Sequence, residues 1–147
     1  MLKLTQLVGF ASGGGGGTDA TPNAIDFNDI SDAGITASAF TNVVTISGID
    51  TTITARLTVT SAMSGQRPVY VYRDGGWVST TTSGTTVDVT MTNNQTLQYG
   101  FANSQNSTTW SGTATVTNES DAGAVLDTFT YTLTDTGSGG GVAVMTL

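Results

Sequence analysis

Three groups of side chains in this sequence have chemistry worth testing. Asp26, Asn28, Asp29 and Asp32 lie within seven residues. Clustered carboxylate and amide oxygens suit Ca²⁺, which takes ~6–8 oxygen ligands. Their spacing matches no calcium-loop signature such as the EF-hand. Side chains of these types also close turns by hydrogen-bonding to nearby backbone, and that reading is preferred. Tyr70, Tyr72 and Trp77 flank a hairpin tip. Exposed, they would stack on a sugar or anchor a partner, because aromatics dominate interface energetics. Val69 and Val71 hold the opposite parity of the same strand, so one set must point outward. The sequence leaves open which. Asp88 and Asp127 have the chemistry of a glycosidase acid/base pair. Nothing in the sequence brings them together, and a solvent-facing Asp on a strand is ordinary.

Composition narrows the chemistry further. The 147 residues contain no His and no Cys. The commonest general base and transition-metal ligand are therefore missing. So are disulfides, thiolate zinc sites and cysteine nucleophiles. Four Lys+Arg against 11 Asp+Glu give a net charge of −7. The cations stand apart at Lys3, Arg56, Arg67 and Arg73, whereas a phosphate backbone needs them clustered. No nucleic-acid partner, catalytic residue, cofactor or metal is assigned. Three triplets, at 94–96, 106–108 and 118–120, match glycosylation acceptors. In a chain this rich in Thr, Ser and Asn such triplets arise by chance.

The elements that must position these residues are strands. Thr fills 30 positions, and Thr, Val and Ile together make up a third of the chain. Branched β-carbons fit a pleated, half-buried surface. From residue 21 to 136 turn signals recur every 8–15 residues, as in a sandwich or barrel. Strands are expected at 24–27, 42–49, 53–60, 69–73, 77–80, 86–92, 97–102, 109–117 and 125–133. Residues 29–39 are read at most as one helical turn. Val44 and Ile46 share a face, as do Ile53, Ala55, Leu57 and Val59. In the last strand Val125, Asp127, Phe129, Tyr131 and Leu133 share one parity. Asp74-Gly75 suits the positive φ values of a tight hairpin turn. Trp110 is expected in the core. The fold class is all-β, an immunoglobulin-like antiparallel β-sandwich of about seven to nine strands.

Both ends depart from this pattern. Residues 1–10 (MLKLTQLVGF) are apolar but too short to span a bilayer, which takes ~20 residues. They make a poor signal peptide, because five glycines follow where a cleavage site would sit. No membrane partner is expected. Residues 13–17 form a flexible glycine linker. At the other end, residues 138–141 (SGGG) precede VAVMTL. The division is 1–20 anchor peptide and linker, 21–136 sandwich domain, 137–147 linked apolar strand. An apolar peptide on a leash exposes sticky surface, so docking on another chain is expected. The candidate contacts are Leu2, Leu4, Leu7, Val8 and Phe10, with Val142, Val144 and Leu147 at the far end.

Residues 21–49 (TPNAIDFNDISDAGITASAFTNVVTISGI) resemble the opening of an immunoglobulin-like module of bacteriophage virion proteins and large bacterial surface proteins. The hairpin at 70–77 (YVYRDGGW), the segment at 94–104 (NQTLQYGFANS) and DTFTYT at 127–132 resemble its later strands, in the same order. The module commonly recurs in tandem, and here it stands alone. The apolar N-terminal peptide on glycines resembles that of small phage structural proteins. The resemblance implies a non-enzymatic virion protein on the particle exterior, a capsid decoration or cement protein held through its N-terminal segment in a symmetric homo-oligomer or array. Two alternatives stay open. One is a tail, collar or fibre component. The other is a glycan-binding adhesin module contacting the host surface through Tyr70, Tyr72 and Trp77.

Overall fold

The computed structural model describes residues 17–33, 38–60, 69–81, 85–101 and 109–134, and every regular element among them is a strand. In chain order these are β1 (Ile30–Ala33), β2 (Ala39–Phe40), β3 (Val44–Thr45), β4 (Ile53–Val59) and β5 (Val69–Arg73). They continue with β6 (Gly76–Thr81), β7 (Thr86–Met91), β8 (Thr96–Phe101), β9 (Thr109–Asn118) and β10 (Ala124–Thr134). One sheet runs β1-β10-β9-β4-β7. The other runs β2-β8-β5-β6, with β3 also beside β8. The chain is therefore an all-β sandwich.

Alternation decides which side of each strand is buried. In β4, Ile53, Ala55, Leu57 and Val59 are buried while Thr54, Arg56 and Thr58 face out. β7 repeats this with Val87, Val89 and Met91 inward. A one-residue slip would turn each apolar set into water, so the register is strongly fixed. The inner faces meet over an aromatic centre. Phe101 stacks on Tyr131 at 5.2 Å, Trp110 lies 4.5 Å from Tyr131, and Phe27 packs between Tyr99 and Phe129. Trp110 is in the core, as expected.

The outer face of the first sheet is mostly threonine, with the Arg56–Asp88 pair set among it. Thr128, Thr115, Thr58 and Thr86 stand side by side across β10, β9, β4 and β7. Thr is a strand former that leaves a hydroxyl in water, which lets a charge-poor chain keep a solvated face.

Several expected boundaries are corrected. Residues 24–27 are not a strand, and the stretch read as a helical turn contains β1. β1 pairs with β10 in parallel, Ile30 opposite Tyr131, so the sandwich is not antiparallel throughout. Local pattern cannot reveal a ladder whose partner lies about a hundred residues away (Asp29 bonds Thr130, 101 residues on). The 42–49 strand shrinks to Val44–Thr45. Val44 and Ile46 are nevertheless both buried, as their shared parity predicts. In β10 a bulge between Val125 and Asp127 breaks the single parity. Phe129, Tyr131 and Leu133 point inward, while Val125 is 65% exposed.

Candidate functional site

The β5–β6 hairpin closes as its sequence dictates. Asp74 and Gly75 take φ of 52° and 76°, the two positive values of a tight hairpin turn. Asp74 also bonds outward. Its Oδ1 accepts from the Thr96 N–H at 2.9 Å and its Oδ2 from Gln95 Nε2 at 2.9 Å. The tip is thereby fastened to the start of β8.

With the tip fixed, Val69 and Val71 are the buried set of β5. Tyr70 and Tyr72 consequently point to the outer face, each half-buried among neighbours. Trp77 lies opposite Tyr72 and is 59% exposed. A register shift between Val71 and Tyr72 sets this pairing. The structure therefore brings all three sequence candidates to one face.

It adds a fourth that sequence reading missed. Phe40 on β2 is 44% exposed and makes an edge-on contact with Tyr72, ring centroids 5.7 Å apart at 68°. β8 lies between their strands. Phe40 reaches across because its neighbour there is Gly100. A Cβ at Gly100 would sit 2.6 Å from Phe40 Cε1, so only glycine leaves room for the ring. A glycine inside a strand signals close approach of another group, and that is the sequence cue to Phe40. Phe40, Tyr72 and Trp77 form a stripe across the outer face of the second sheet.

The carboxylates go elsewhere. Asp88 is clamped by Arg56 through Nε at 2.7 Å and Nη2 at 2.8 Å, while Arg56 Nη1 holds Glu119 at 2.9 Å. The guanidinium hydrogen bond keeps the Asp88 carboxyl below its ordinary range. Asp127 accepts from the N–H of Phe27 at 2.6 Å and of Thr128 at 2.7 Å. β9 and β4 lie between β10 and β7, so the two carboxylates do not converge. Asp29 accepts from the Thr130 N–H at 2.6 Å, which lowers its pKa. Asn28 and Asn42 exchange backbone-to-amide bonds, and Asn42 Nδ2 donates to the Asp26 carbonyl at 2.9 Å. Asn28 thus bonds backbone through its side chain, tying two loops rather than closing a local turn, Asp26 contributes its backbone carbonyl, and the Asp32 side chain lies outside the described residues. Among the described residues no three acidic side chains gather as a metal site would require. The terminal candidates Leu2, Leu4, Leu7, Val8, Phe10, Val142, Val144 and Leu147 also lie outside the described residues.

What the fold and site define is an all-β sandwich with a fastened hairpin and an exposed aromatic stripe. No protein-family model matches the chain, and no curated protein matches it. Among solved structures it is similar to the N-terminal domain of PorA, at 19% identity over 80% of this chain and 91% of that chain, with a TM-score of 0.34. A likeness that low carries neither fold nor function across.

Proposed function

We propose that this chain is a non-enzymatic structural protein of a bacteriophage particle, a capsid decoration protein that attaches through residues 1–10 and displays its sandwich outward. The observation that carries this reading is how the chain is tied down just after the glycine linker. The Asp50 N–H donates to the Asp19 carbonyl at 3.0 Å. Asn118, fully buried, donates through Nδ2 to the Ala20 carbonyl at 2.7 Å. The Asn23 N–H donates to the Ser47 carbonyl at 2.8 Å, and the Phe27 N–H to Asp127. A pull on the N-terminal peptide would reach the core directly, while the glycines let the domain find its seat. Docking of the apolar peptide, by strand addition or groove filling, supplies the attachment. The small share of charged residues suits dense display, and the net acidity discourages adhesion to nucleic acid.

Deleting residues 1–12 tests this. The truncated protein should fold with an unchanged far-UV circular dichroism spectrum and fail to load onto particles lacking the native protein. Loading at full occupancy would remove the anchor from the account.

A further inference from the structure

We infer that the outer face of the second sheet binds an uncharged polysaccharide, laid across the strands over Phe40, Tyr72 and Trp77. The inference does not depend on where the protein resides. Two of the five large apolar side chains exposed among the described residues, Phe40 and Trp77, lie on this face. Both are large aromatics, whose exposure is costly unless something covers them.

The arrangement is linear. Phe40 leans over Gly100 from β2, Tyr72 meets it edge-on from β5, and Trp77 stands beside Tyr72 on β6. With strands ~4.8 Å apart, crossing from β2 to β6 covers about 15 Å, the length of a short oligosaccharide. A hexopyranose ring offers an apolar C–H face to stack on such rings and a rim of hydroxyls. Gln98 lies directly opposite Tyr72 on β8, and its side-chain amide is held in place there by an Nε2 bond to the Thr41 carbonyl at 2.9 Å.

Charge selects the occupant. Among the described residues the neighbouring ions are committed within the fold: Arg73 Nη1 donates to the Thr90 carbonyl at 2.8 Å, and Asp74 holds Thr96 and Gln95. Bases would also stack on the rings. Their phosphates, however, would meet a chain of net charge −7 with no cation cluster among the described residues to receive them. An anionic polysaccharide meets the same repulsion. A second copy is disfavoured because three rings with half-buried Tyr70 beside them make a patch smaller than the apolar centre of a stable homodimer.

The test is isothermal titration of the full chain with soluble neutral polysaccharides (hydroxyethylcellulose, dextran, mannan) and with alginate as the anionic control. Quenching of Trp fluorescence in the unmodified protein gives a parallel readout. At least one neutral polymer should bind saturably, and alginate should not. Trp77→Ala, at an exposed position, should weaken binding by about tenfold. Phe40→Ala should weaken it as well. Thr115→Ala, on the opposite sheet, should leave it unchanged. Silence with every neutral polymer, equal binding of alginate, or native affinity in Trp77→Ala would each overturn the inference. So would a concentration-dependent dimer that Trp77→Ala abolishes, because the stripe would then belong to a second copy. None of these results bears on attachment through residues 1–10.

Discussion

Tyr99 is the residue at which burial and polarity conflict most sharply. Its ring lies in the core against Phe27, fully buried, and its hydroxyl finds no hydrogen-bond partner among the described residues. Burial pushes its pKa well above the ordinary value of 10.0. A phenol whose pKa is raised by folding contributes stability in full below the unfolded value. That contribution is lost as pH rises past it, because the unfolded chain can release the proton and the folded chain cannot. Tyr99→Phe removes an unsatisfied buried hydroxyl, which costs about 1–3 kcal/mol to keep. Denaturant unfolding at pH 7 should show the variant equal to or more stable than the native protein. Its stability should also fall less steeply above about pH 10. A loss of more than about 1 kcal/mol at pH 7 would reveal a hydroxyl bond that this account lacks. The Arg56–Asp88 pair has better geometry but half-exposed partners, so it supports the outer face without governing stability.

At the level of elements, the strands with strong alternation were legible and the ones paired at long range were not. β4, β7 and β9 fall within a residue or two of the expected bounds, because each reads as buried and polar positions in turn. The Asp74-Gly75 turn was equally plain. β1 was invisible because its sequence ISDA alternates weakly and its partner is β10. The orientation of β5 was undecidable, since Val and Tyr both suit an inner face. In the structure Val69 and Val71 are the buried pair. Gly100 and Gly112 show what a glycine within a strand can mean. At Gly112 a Cβ would fall 2.4 Å from the Tyr131 hydroxyl and 2.9 Å from Thr60 Oγ1. Tyr131 is fully buried against Trp110 and Phe101 and cannot withdraw freely. Gly112→Ala should therefore destabilise the domain by about 1–3 kcal/mol. A thermal melt matching the native protein would mean that the aromatic centre repacks without cost.

For the whole molecule, the two sheets present two different outer surfaces. One is a threonine face that interacts mainly with water. The other carries the aromatic stripe. The N-terminal run is bound to the sandwich from Asp19 onward, directly after the glycines. The fold class followed from composition and periodicity. The site was legible only as two alternatives, and Phe40 had to be found in three dimensions. The proposed role is tested most directly by the number of copies of this chain per purified phage particle, measured by quantitative mass spectrometry against the major capsid protein. The decoration reading predicts a stoichiometry comparable to that of the capsid protein. A few to a few tens of copies would contradict it in favour of a tail, collar or vertex component, and absence from the particle would contradict the virion assignment altogether.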